Sequence, residues 1–186
     1  MKTGVRDQVS DFRKTLARPL QLKPETWEHM PVTTQVRVRY AETDQMGIVY
    51  YANYLVWFEL GRVELLRSLG LAYSRLETDH GCILPVIEVR CRYRSPARYD
   101  DEILIETRPS MMRGTVLKFA YRILRKGHEG DENTLLAEGE TVHVVCDDRL
   151  QRKPLPEHYA EALRKLMAES QSDSAKISAP KIDLSS

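Results

Sequence analysis

Asp44 is the first residue to weigh for chemistry. It stands in Glu42-Thr43-Asp44-Gln45-Met46-Gly47, a turn-like run between an alternating stretch and a long helical pattern. A carboxylate just ahead of a helix can work beside N-terminal amides that polarise a carbonyl. An Asp in such a run serves equally well as the cap of the turn. Gly47 gives the backbone freedom to turn tightly there. Farther on, Glu59 and Arg62 stand three residues apart in the helical pattern, within pairing reach. Charge in a buried helix usually comes in pairs, so a structural ion pair is expected. Other chemistries lack their residues. No GxSxG elbow and no HExxH pair occurs. His29, His80, His128, His143 and His158 show no ligand spacing, which leaves solvated or satisfied core histidines as the expectation. Cys82, Cys91 and Cys146 form no CxxC pair, so neither a metal site nor a disulfide framework is indicated, and a reducing cytoplasm is expected.

The elements that must hold these residues are readable from their periods. Val32 to Tyr40 alternates Val36, Val38 and Tyr40 with Gln35, Arg37 and Arg39, the pattern of a half-buried strand. From Asn53 to Leu69, Tyr54, Leu55, Phe58, Gly61, Leu65, Leu66 and Leu69 recur at helical spacing, and Gly70 follows as a left-handed stop. Val56, Trp57, Leu60 and Val63 add apolar character on the other sides, so the helix is expected to be wrapped by protein. Strands follow at Ile87 to Tyr93, at Ile103 to Thr107, at Leu117 to Ile123 and at Leu135 to Cys146. Pro156 to Met167 reads as a closing helix. Arg90, Arg92 and Arg94 share one face of the first of these strands and are expected to be solvated beside Glu88. Hairpin-length connections make the later strands antiparallel, which gives an α+β fold with a sheet wrapped around one long central helix.

The ends of the chain differ from its middle. Residues 1–31 carry mixed charge, three prolines and no sustained period, and read as an N-terminal extension. Six of the seventeen residues from Ser170 to Ser186 are serine, too polar to offset ordering entropy, so 169–186 is expected to be a disordered tail. The folded domain is then residues 32–168. With 28 Lys and Arg against 27 Asp and Glu, the net charge of +1 argues against nucleic acid as a partner. No apolar run reaches the roughly 20 residues of a transmembrane segment. The first residues lack the apolar core of a signal peptide, which again points to the cytoplasm.

The run RVRYAETDQMGIVYYANYLVWFELGRVELLRSLG, residues 37–70, resembles the signature of the 4-hydroxybenzoyl-CoA thioesterase-like hotdog-fold enzymes, and within them the Tol-Pal-associated acyl-CoA thioesterases. YRSPARYDDEILIET and the segment from Pro154 to Tyr159 agree in order, so the likeness spans roughly Val32 to Met167. It implies a hotdog fold, a homodimer with a sheet continuous between subunits or a homotetramer, and hydrolysis of an acyl-CoA thioester. No cofactor is implied. A thiolate leaves readily, so this chemistry needs a carboxylate and oxyanion donors but no general acid.

The resemblance also implies roles. Asp44 matches the aspartate that acts as nucleophile or as base for water. Tyr51 matches the residue whose backbone N–H points at the thioester oxygen, although many members of the closer branch have histidine there. Glu59 is a second candidate carboxylate, because a helix glutamate serves in another hotdog branch. Gly47 turns the backbone beside the substrate. CoA phosphates call for Arg or Lys; Arg113, in the MMRGT turn, matches a nucleotide-contacting arginine, with Arg152 and Lys153 as further candidates. A non-catalytic acyl-CoA-binding protein on the same fold is the alternative, since fold does not fix function. Asp44, Gly47 and the YANYL run favour the hydrolase. A hotdog dehydratase is disfavoured because no histidine lies between Val32 and Gly70.

Overall fold

The alternation that predicts the first strand places Val32, Thr34 and Val36 of β1 (Val32–Arg37) toward the interior and Thr33, Gln35 and Arg37 toward solvent. The structure is a computed structural model that describes residues 32–177. The extension 1–31, His29 included, and residues 178–186 lie outside the described residues. β1 stops three residues before the expected Tyr40. Tyr40–Glu42 forms a short 3-10 turn instead, which leaves Tyr40 79% exposed and carries Glu42 inward.

The long helix α1 (Asn53–Ser68) follows, then a short helix α2 (Tyr73–Thr78), which is too brief to announce itself as a period. Four strands come next: β2 (Val86–Tyr93), β3 (Glu102–Arg113), β4 (Val116–Arg125) and β5 (Thr134–Val144). The sheet order is β1-β3-β4-β5-β2, with every neighbouring pair antiparallel. The chain therefore crosses from one sheet edge to the other while it makes α1 and α2. The closing helix α3 (Glu157–Ile177) runs ten residues past Met167. The stretch expected to be a disordered tail thus begins as helix through Ile177. Extending an existing helix avoids the cost of nucleating a new one.

α1 lies on the inner face of the sheet because glycine permits it. A Cβ on Gly61 would overlap Thr107 Oγ1 and come within 2.6 Å of Ile105 Cγ2. Gly139 of β5 clears space in the same way for the Phe58 ring, which stacks on Tyr121 at 4.4 Å. Gly70 ends the helix at φ +74°, with Leu71 N–H bonded to Leu66 C=O and Gly70 N–H to Arg67 C=O, both at 2.9 Å. That is the left-handed stop expected there. The buried face is Tyr54, Trp57, Phe58, Gly61, Arg62, Leu65 and Leu66. Trp57 takes the inward place expected for Leu55, because it lies three residues after Tyr54 and four before Gly61. Leu55 and Val56 face outward, Val56 being 51% exposed, so the described residues do not enclose the helix on every side. The apolar side of β2 is open as well, with Ile87 45% and Val89 40% exposed. On the outer face, Arg90 pairs with Glu88 and Arg94 with Glu138.

Candidate active site

The segment after the 3-10 turn is a miniature hairpin. Thr43 and Val49 bridge, Asp44 N–H donates to Ile48 C=O at 2.9 Å, and Gly47 N–H donates to Asp44 C=O at 2.9 Å. Gly47 has φ +71°, a conformation that a side chain would strain. Met46 N–H donates to Asp44 Oδ1 at 2.8 Å. The capping role anticipated for Asp44 is therefore real and occupies one oxygen. The second oxygen has no hydrogen-bond partner among the described residues. A half-buried carboxylate with one oxygen held and one open can take a proton from water or attack a carbon directly.

Glu42 lies two residues before Asp44 and is only 5% exposed. Its carboxylate accepts Arg39 N–H at 2.7 Å, Arg39 Nη2 at 3.2 Å and Trp57 Nε1 at 3.3 Å. Its peptide carbonyl accepts Tyr50 N–H at 2.9 Å and Asn53 Nδ2 at 2.8 Å. Burial alone would raise this carboxyl group, but the Arg39 and Trp57 donors together hold it below the usual glutamate range.

The start of α1 faces the same turn. Among the described residues the Tyr51 amide donates to no backbone carbonyl, whereas the amides of Tyr50, Asn53 and Tyr54 are all engaged. Tyr93, the last residue of β2, donates its hydroxyl to Tyr51 C=O at 3.1 Å. Ala97 N–H donates to Tyr54 Oη at 3.2 Å, and Val49 N–H to Ala97 C=O at 2.9 Å. These bonds tie β2 and the loop after it to both sides of the turn. A cleft of about 240 Å³ opens here, lined by Ile48, Tyr51, Tyr54, Tyr93 and Pro96 among others. A larger cleft of about 940 Å³ lies where β3 begins, but its arginines and acids pair with one another, as Arg37 does with Asp100 and Glu102.

Glu59 and Arg62 do not pair. Glu59 points to solvent, while Arg62 is buried with its guanidinium 5.4 Å from the centre of the Tyr73 ring and Nη1 without a hydrogen-bond partner. The expected ion pair fails because Arg62 turns into the core and makes a cation–π contact instead. His143 is a satisfied core histidine. Its Nδ1 lies 3.0 Å from Leu84 C=O and must donate, so Nε2 accepts from Thr141 Oγ1 at 2.8 Å. Thr141 Oγ1 in turn accepts from Tyr121 Oη at 2.8 Å. Burial, aided by the Arg62 charge, pushes His143 down to about 4.

The basic candidates lie elsewhere. Arg113 is the exposed last residue of β3, whereas the Asp44 turn packs near the start of that strand through Ala97, and Val38 bonds Asp101. Twelve residues at about 3.3 Å each separate the two ends by roughly 35 Å. Arg152 shares the Arg113 end: it bridges Cys146, while Val145 N–H bonds Thr115 C=O at 2.8 Å. Lys153 Nζ is committed to His80 C=O at 2.7 Å. One chain therefore brings Asp44, Gly47 and Tyr51 together and keeps Arg113 and Arg152 apart from them. Sequence reasoning missed Glu42, Trp57 and Tyr93. A glutamate two residues before the candidate carboxylate was the only visible signal for Glu42.

A five-stranded antiparallel sheet around one long helix, with a carboxylate turn at the helix start, defines a hotdog-fold protein. Comparison narrows the class. The family model described as the thioesterase-like superfamily matches residues 29–163, and the chain belongs to that family. The putative acyl-CoA thioesterase YneP of Bacillus subtilis is 37% identical over 121 residues, covering 65% of this chain and 83% of that protein. The acyl-CoA thioester hydrolase YbgC of Shigella flexneri is 40% identical over 119 residues, covering 64% and 84%. Among solved structures, a hypothetical protein from Thermus thermophilus is 38% identical with a TM-score of 0.65, covering 74% of this chain and 98% of that one. A 4-hydroxybenzoyl CoA thioesterase shares the fold at 23% identity and a TM-score of 0.66, over 71% of this chain and 97% of that one.

Proposed function

We propose that this thioester hydrolase acts on acyl-CoA in the cytoplasm, releasing the free acid and CoA, and that it belongs to the Tol-Pal-associated branch of its family. The observation that carries the reading is the juxtaposition of an Asp44 oxygen without a partner and a Tyr51 amide without a backbone acceptor, on the two sides of one turn. The thioester oxygen sits at the Tyr51 N–H, supported by the positive end of α1. Asp44 then takes a proton from water as the hydroxide forms its bond to the acyl carbon. The tetrahedral intermediate collapses, the C–S bond breaks, and CoA leaves as the thiolate, which the proton held on Asp44 neutralises. Alternatively Asp44 attacks the carbon itself, expels the thiolate, and water cleaves the resulting anhydride.

The site is completed by a second copy in a homodimer or homotetramer. Support comes from the separation of Arg113 and Arg152 from Asp44 and from the open apolar side of β2. A two-fold axis running β2 against its own copy turns the ends around, bringing the basic end of one chain toward the Asp44 end of the other. Thiol release measured with short-chain, long-chain and aromatic acyl-CoA tests the function. Binding of acyl-CoA without release on any of them would place the chain with non-catalytic acyl-ligand carriers instead.

A further inference from the structure

Five donors converge on Glu42, and they come from both sides of the Asp44 turn. Arg39 supplies its amide and guanidinium from upstream; Tyr50, Asn53 and Trp57 supply an amide, a carboxamide and an indole from downstream. A neutral apolar residue in this place would avoid the cost of burying a carboxylate. What the carboxylate adds is directional acceptors that join two segments, Arg39 upstream and Trp57 downstream, while the Glu42 carbonyl holds Tyr50 and Asn53. The bond from Tyr50 N–H to Glu42 C=O fixes in place the residue whose own carbonyl carbon bears the Tyr51 amide. The residue two positions before the reacting carboxylate thus orients the oxyanion donor on the other side.

We infer that Glu42 is a positioning residue for thioester hydrolysis, holding Asp44 and the Tyr51 amide at a fixed separation through Arg39, Tyr50, Asn53 and Trp57. The inference rests on the acyl-CoA hydrolase reading above. It does not require Glu42 to touch substrate, and its loss acts on turnover rather than on substrate affinity.

The test uses Glu42→Gln, which keeps the shape but sets an NH2 group against the converging donors, and Leu163→Ala, a core truncation in α3 remote from the turn. Well below the melting temperature, Glu42→Gln is expected to lower kcat at least ten-fold with KM within two-fold. Amide hydrogen exchange across residues 43–52 is expected to quicken at least ten-fold, while Leu163→Ala leaves both near wild type. Near-normal kcat and exchange in Glu42→Gln, or equal losses in both variants, would overturn the inference. Should Glu42→Gln fail to fold, Trp57→Phe removes the indole donor alone. A two- to five-fold fall in kcat with faster exchange in 43–52 supports the inference, and no change in either overturns it. A wild-type protein that turns over no thioester overturns the hydrolase reading, and the exchange data then decide the role of Glu42 by themselves.

Discussion

The two ends of the sheet are built in opposite ways. Around Asp44 the backbone is committed: the turn closes on itself, Glu42 gathers five donors, and Tyr93 and Ala97 fasten the surrounding segments. Around Arg113 and Arg152 the side chains stand out from a hairpin and the segment after β5, with charge and reach in place of a tight frame. Making and breaking a bond needs atoms held to within fractions of an ångström. Gripping phosphates needs positive charge on flexible arms. On the proposed reading the difference separates chemistry from binding along one strand, and it is what favours a site shared between two copies.

The sharpest way to break this comparison is Asp44→Asn. It keeps the size of the side chain and its hydrogen bond to Met46 N–H, but removes the negative charge. We expect kcat to fall at least ~100-fold with little change in melting temperature. Steady-state thiol release with parallel melts checks it; near-normal turnover would move the chemistry to another residue.

Two variants probe the span between the ends. The unfolded chain protonates His143 near pH 6.5, whereas the folded protein resists until about 4. The unfolded state therefore binds more protons in that window, and stability falls as pH drops through it, by ~3 kcal/mol in total. Urea titrations from pH 7 to 4 should show this slope, and His143→Gln should remove it. Gly61→Ala forces α1 off Thr107 and Ile105, with an expected loss of ~1–3 kcal/mol, read from the same titrations.

At the basic end, Arg113→Ala with Arg152→Ala should raise KM for acyl-CoA ~10-fold and leave kcat alone, since the lost contacts hold a remote part of the substrate. Mixing that double variant with Asp44→Asn sharpens the point. Random exchange of subunits should rebuild about a quarter of the sites as wild type if each site draws on both copies. A mixture showing only the average of its parents would put both ends of the site in one chain. The smallest effect belongs to Glu59→Gln: with no ion pair to lose, melting should stay within a degree or so and kcat within about two-fold of wild type.

The strands, the long helix and its Gly70 stop were legible because local periods and turn chemistry dictate them. The Asp44–Gly47 turn was legible because Asp and Gly in that spacing are turn chemistry ahead of a helical period. The rest was written in contacts between distant residues. Whether Arg62 reaches Glu59 or the Tyr73 ring depends on how α1 sits on the sheet, which its own sequence does not state. Glu42 looks like any turn glutamate until Trp57, fifteen residues later, is placed against it. No period reveals that β3 carries Arg113 to the end of the sheet opposite Asp44.

The two borders of the sheet also differ in what they offer a passing strand. β1 is short and turns Thr33, Gln35 and Arg37 outward, a poor template for another chain. β2 pairs on one side only, with β5, among the described residues and leaves Val86, Ile87 and Val89 in view. A single chain carries this as an open border to which an extended apolar peptide can adhere. The charged residues Glu88, Arg90 and Arg92 that interrupt and follow those apolar residues act as gatekeepers along the border. If the proposed pairing of β2 with its own copy covers this border, assembly is also protection from aggregation, and scarce partners would show first as insoluble material.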